Sequence, residues 1–160
     1  MTELRRILLV EDNPNDIELT LEALSEYHLA NEVVVTRDGA EALDYLFRRG
    51  PHAARPDGLP VVVLLDLKMP KVDGVEVLRQ LKSDPRLQAI PVVMLTSSRE
   101  EPDLRRCYAL GCNAYVVKPV DFEQFVASIK KLGCFWAIVN EPPPGRHPEA
   151  PGAAAGATLA

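Results

Sequence analysis

Apolar residues along this chain follow two alternating rhythms. Ile7-Leu8-Leu9-Val10, Val33-Val34-Val35, Val61-Val62-Val63-Leu64-Leu65, Val92-Val93-Met94-Leu95 and Ala114-Tyr115-Val116-Val117 are unbroken apolar runs. Such runs suit strands covered on both faces. Between them apolar residues recur at helical spacing: Ile17, Leu21 and Leu24 after Asn13-Pro14, then Ala42, Leu43 and Leu46 after Asp38, then Val75, Leu78 and Leu81 before Asp84-Pro85. A fourth helix is predicted from about Glu101 to Leu110, with Gly111 placed to end it. A fifth begins after Asp121 with Phe122, Phe125, Val126 and Ile129. Asp38 with Glu41 three residues on reads as a capping pair. Five strand–helix units with doubly buried strands predict a parallel sheet with helices on both faces. Five strands in about 130 residues favour a doubly wound, flavodoxin-like α/β sheet of order 2-1-3-4-5 over a barrel.

Proline divides the chain. Pro51, Pro56 and Pro60 punctuate a loop over residues 50–60, and five of the 14 prolines follow residue 141. The Pro/Gly/Ala-rich stretch after that point has too few core residues to fold, so the expected organisation is one domain over 1–140 and a tail over 141–160. The 160 residues carry 18 Lys+Arg against 23 Asp+Glu, a formal charge of −5. That mildly acidic balance argues against a nucleic-acid binder. No apolar run reaches the roughly 20 residues a bilayer span needs. Cys107, Cys112 and Cys134 form no C-x-x-C pair and read as reduced thiols of a cytoplasmic protein.

In open sheets of this kind the site lies beyond the carboxyl ends of the strands, near the switch in strand order. The residues predicted there are Glu11 and Asp12 after the first strand, Asp66 after the third, Thr96 and Ser97 after the fourth, and Lys118 and Pro119 after the fifth. Three carboxylates brought together repel unless something neutralises them. A hard divalent cation such as Mg²⁺ (or Mn²⁺) is the simplest neutraliser, and it leaves positions open for water and phosphate. An Asp nucleophile, a cation, a lysine and a threonine hydroxyl suit phosphoryl transfer through an acyl phosphate. Each residue alone also has an ordinary structural use. Glu11-Asp12, Asn13 and Asn15 are all able to cap the first helix, Thr96-Ser97-Ser98 the fourth, and a lone lysine is usually a solvated one.

The segments Ile7 to Asn13, Leu64 to Gly74, Pro91 to Ser97 and Ala114 to Pro119 together resemble the receiver domain of two-component response regulators, over about residues 5–135. The resemblance implies that Asp66 accepts phosphate from the phosphohistidine of a sensor histidine kinase. It implies Mg²⁺ bound by Asp12, Asp66 and the backbone carbonyl of Lys68, with Glu11 acting through a metal-bound water. Glu11 stands where the family often has Asp. Thr96 and Lys118 would contact the phosphoryl group, and Tyr115 matches the aromatic switch position, turning inward as Thr96 moves. Pro119 would follow a cis peptide, and Lys68 and Ser98 would tune the lifetime of the phosphorylated state.

The 50–60 loop and Phe135-Trp136 resemble the response regulators paired with bacterial phytochromes, which implies a single receiver signalling by protein contacts. The apolar segment Phe135 to Val139 suggests a homodimer contact. Three other readings compete. A haloacid dehalogenase-type hydrolase wants Asp-x-Asp, and here Asp66-Leu67-Lys68 lacks the second acid. A flavodoxin wants a neutral phosphate loop where Glu11-Asp12 stands. A degenerate receiver acting only as an interaction module would not need the full acidic set.

Overall fold

The computed structural model describes residues 6–26, 32–56, 58–69, 71–97 and 100–118, with Glu123 and Ala127 beyond them. Strands and helices alternate: β1 (Arg6–Val10), α1 (Pro14–Glu26), β2 (Glu32–Thr36), α2 (Gly39–Phe47), β3 (Val62–Leu65), α3 (Gly74–Ser83), β4 (Val92–Thr96), α4 (Glu101–Ala109) and β5 (Ala114–Val117). All pairings are parallel, in the order β2-β1-β3-β4-β5. The expected fold is therefore the observed one. The bulk of the predicted fifth helix, Pro119, Ser98, the Phe135–Val139 segment and the 141–160 tail lie outside the described residues.

Two cores follow from strand alternation. Ile7, Leu9, Val62, Leu64, Val93, Leu95 and Val116 face one side, where Ile17 and Leu24 of α1 cover them. Leu8, Val10, Val63, Leu65, Val92 and Met94 face the other, under residues of α2, α3 and Cys107 of α4. Burial on both faces is why the runs are continuous rather than alternating. A fully buried side chain of this kind contributes roughly 1.5–3 kcal/mol of transfer free energy.

The helix ends answer the capping question. Asn13 caps α1, its Oδ1 accepting the Asp16 N–H at 3.1 Å. Asp38 and Asp73 cap α2 and α3 by accepting from the N–H of Glu41 and Glu76. Glu41 reaches back one residue further than expected, to the Arg37 N–H at 3.0 Å. Glu100 is the N-cap residue of α4 and makes no side-chain cap, so neither Thr96 nor Ser97 is its capping residue. Gly111, at φ +104°, occupies the left-handed conformation that turns the chain after α4.

The long loop before β3 is ordered by its arginines. It opens with a 3₁₀ turn over Gly50–His52. Arg55 stacks 4.3 Å over the Tyr45 ring and donates to the carbonyls of Tyr45, Pro56 and Gly58 at 2.6, 2.8 and 3.1 Å. A second basic anchor, Lys82 at the end of α3, donates to the carbonyls of Gln88 and Ile90 and to Asn113 Oδ1 at 3.0, 2.9 and 3.2 Å. It ties the connection into β4 to the start of β5 at the amino edge of the sheet.

Candidate functional site: an acidic cleft at the carboxyl edge of the sheet

Ladder bonds run one step past the strands and fix where the polar residues emerge. The Glu11 N–H donates to Thr36 O at 3.0 Å, Asp66 N–H to Val10 O at 3.0 Å and Lys118 N–H to Thr96 O at 2.7 Å. Because Asn13 takes the cap of α1, Glu11 and Asp12 are left to face the sheet edge. Gly74 lets the start of α3 approach the chain that carries Asp66, since a Cβ there would collide with the Asp66 carbonyl. The Gly74 N–H closes that turn onto Leu67 O at 2.8 Å.

These elements enclose an open cleft of about 390 Å³ lined by Glu11, Asp12, Asn13, Pro14, Asp16, Asp66, Lys68, Thr96, Ser97 and Lys118. One carboxylate oxygen each from Glu11, Asp12 and Asp66 lies within 4.8 Å of the other two. Glu11, Asp66 and Thr96 are buried, whereas Asp12 is exposed at the mouth. Lys118 Nζ stands among the acids, 2.6 Å from Glu11 Oε1, 2.9 Å from Asp16 Oδ2 and 3.6 Å from Asp66 Oδ1.

The electrostatics are unbalanced. Among the described residues four carboxylates line the cleft, and Lys118 is the lysine paired with them while Lys68 stands exposed at the rim. Burial, reinforced by the Glu11 charge, raises the Asp66 carboxyl from 3.8 to about 7 although Lys118 pulls the other way. Burial also works against the Lys118 ammonium, but the hydrogen bonds it donates to Glu11 and Asp16 and the charge of Asp66 outweigh it and raise its pKa. A cluster left this acidic beside a strained carboxyl is chemically suited to take up a further hard cation. The donor set fits Mg²⁺ or Mn²⁺: all oxygens, mostly carboxylate, open on one side.

Every described residue expected at the site is in this cleft except Tyr115. That residue pairs with Met94 in the ladder and is half-buried against the core under α2 and α3. Lys68 is exposed at the rim. Asp16 also lines the cleft, a position the strand-end pattern does not single out because it lies in the first turn of α1. Its pairing with a lysine 102 positions away has no counterpart in sequence spacing.

A parallel sheet of this order with carboxylates, a threonine and a lysine at its carboxyl edge defines a class of α/β signalling domains built around an acidic cleft. The chain belongs to the response regulator receiver domain family, whose model matches residues 7–130. It is 66% identical to the bacteriophytochrome response regulator AtBRR, whose structure covers 88% of this chain and is itself fully covered, with a TM-score of 0.79. It is 43% identical over 137 residues to the probable methanogenesis regulatory protein FilR2 of Methanothrix harundinacea (strain 6Ac), spanning 86% of both chains. It is 38% identical over 130 residues to the response regulator Rcp1 of Synechocystis sp. (strain ATCC 27184 / PCC 6803 / Kazusa), covering 81% of this chain and 87% of that one. The Mn²⁺-bound form of Rcp1 superposes with a TM-score of 0.70 at 36% identity, over 87% of this chain and 99% of that one. The chain is thus a response regulator receiver similar to phytochrome response regulators. Receivers take phosphate from histidine kinases and bind Mg²⁺ or Mn²⁺ in their acidic pocket. No described helix is long and apolar enough to cross a membrane.

Proposed function

We propose that this protein accepts a phosphoryl group on Asp66 from the phosphohistidine of a sensor kinase, in a phytochrome-type light-sensing system. The observation that carries the proposal is the convergence of Glu11, Asp12 and Asp66 within 4.8 Å, with Lys118 Nζ 3.6 Å from the Asp66 carboxylate. The pairing with a phytochrome kinase is supported by 66% and 63% identity to two bacteriophytochrome response regulators.

In this mechanism an Asp66 oxygen attacks phosphorus. The new O–P bond forms as the P–N bond to the kinase imidazole breaks, and the imidazole leaves with the bond's electron pair and takes up a proton. Asp66 must be ionised to attack, yet alone in the cleft it is held near 7. Bound Mg²⁺, held by Asp12, Asp66 and the Lys68 carbonyl with Glu11 behind a water, would supply charge neutralisation that favours the ionised form and the crowded phosphoryl oxygens. Thr96 donates its hydroxyl to one phosphoryl oxygen, and Lys118 pairs with another. Movement of Thr96 then opens space for Tyr115 to turn inward, changing the surface offered to a protein partner. Self-phosphorylation by small phosphodonors and autodephosphorylation belong to the same chemistry. The receiver is assigned to 1–140 and a tail to 141–160. Dimerisation through Phe135 to Val139 is tested by sedimentation of the full chain against a chain ending at 132.

The site assignment is tested by Mg²⁺-dependent labelling with acetyl phosphate. Wild type is expected to label and Asp66→Asn is not; equal labelling of both sinks the assignment.

A further inference from the structure

Asp16 is surplus to the ordinary needs of α1. Asn13 already supplies the cap, and the Asp16 N–H is the group it satisfies. An acid in a first turn usually interacts favourably with the helix dipole from solvent. Here the Asp16 carboxylate instead points across to the end of β5 and holds Lys118 Nζ at 2.9 Å, with only about a third of its side chain exposed. The ammonium has three N–H groups. Two go to Glu11 and Asp16, and Asp66 is left at 3.6 Å, beyond a hydrogen bond.

Asp16 also stands apart from the three acids whose oxygens cluster within 4.8 Å. It is therefore the one carboxylate partner of Lys118 that a cation in that cluster would not claim. Glu11, by contrast, has to serve both. Without the Asp16 carboxylate, the Lys118 ammonium would fall back on Glu11 and Asp66 and compete with a divalent cation for those oxygens.

We infer that Asp16 is a positioning residue that shares Lys118 with Glu11, holds it off Asp66 and so keeps the cluster open to a divalent cation. The inference rests on the receiver reading of the cleft and adds a residue to it. Its effect runs through Lys118, so the two side chains are energetically coupled.

The test is calorimetric titration of the full-length metal-free protein with Mn²⁺ alone, which needs no phosphodonor. Asp16→Asn is expected to weaken Mn²⁺ binding about threefold to fivefold, the scale of a partly exposed ion pair. Asp16→Glu is expected to restore most of the loss. In a Lys118→Ala background the Asp16→Asn change is expected to have little further effect. Acetyl phosphate labelling of Asp16→Asn should lag at limiting metal and match wild type at saturating metal. The inference is overturned if wild type binds Mn²⁺ and Asp16→Asn binds it equally well, or if the loss is the same with and without Lys118. A labelling defect that persists at saturating metal also overturns it. If Asp16→Asn does not fold, Asp16→Ser is read by the same criteria. Failure of the receiver reading looks different: wild type itself neither binds Mn²⁺ nor labels.

Discussion

Two half-buried lysines sit at opposite edges of the same sheet, and their surroundings differ in kind. Lys82, at the amino edge, gives its N–H groups to two carbonyls and an Asn side chain, all neutral. Burial lowers its pKa and nothing there fully compensates. Lys118, at the carboxyl edge, is about as buried but stands among carboxylates, and its pKa is raised. The amino edge is a closed account of donors and acceptors. The carboxyl edge keeps an excess of negative charge, and there burial together with the Glu11 charge raises the Asp66 carboxyl to about 7 against the pull of Lys118. Burial of a charged residue does not mark a site. A deficit that only a further ligand can fill does.

That contrast can be broken most sharply at Asp66. Asp66→Asn is expected to abolish labelling while making the metal-free protein more stable at pH 8, because a neutral group replaces a buried carboxylate; a lower melting temperature at that pH would contradict it. Lys118→Ala comes next. It leaves the acids uncompensated, so the metal-free fold should lose about 2 kcal/mol in urea unfolding, and saturating Mg²⁺ should restore much of it. Lys82→Ala should cost about 1–2 kcal/mol through orphaned carbonyls, and Mg²⁺ should not reduce the difference from wild type. Its labelling per folded molecule should equal wild type. Identical Mg²⁺ responses of the two lysine variants would erase the distinction between the edges.

The smallest effect is a pH slope. The folded Asp66 carboxyl binds a proton near 7, the unfolded one only near 3.8. Between those values the folded state holds the extra proton, so this group's stabilisation is full below about 4 and is lost as pH rises through 7. Discounted for solvent at the cleft mouth, it should amount to about 1–2 kcal/mol between pH 5 and 8. The wild-type minus Asp66→Asn difference in metal-free melting curves measures it; a flat difference would show that Asp66 is not strained.

Much of the site was legible because parallel sheets put chemistry in one predictable place. Glu11, Asp12, Asp66, Thr96 and Lys118 each follow an apolar run, and the strand order alone brings them to one edge. The two cores were legible for the same reason, since doubly buried strands must be apolar at every position. Less was legible where several residues could do one job. Glu11-Asp12, Asn13 and Asn15 were all competent caps, and only the bond from the Asp16 N–H to Asn13 Oδ1 shows that Asn13 takes the role. The loop over residues 50–60 read as a proline-punctuated connection, while its order depends on Arg55 finding Tyr45.

The chain's own pattern thus determined the strands, their order and the set of acids, because periodicity and chain connectivity are local and leave few topologies. Tertiary structure decided which acids Lys118 holds, how far it stands from Asp66, and that Asp16 belongs to the cleft. Those facts depend on distances between residues about 50 to 107 positions apart. In a partly buried cleft an ångström or two separates a hydrogen bond from a mere charge interaction, and no sequence spacing carries that information.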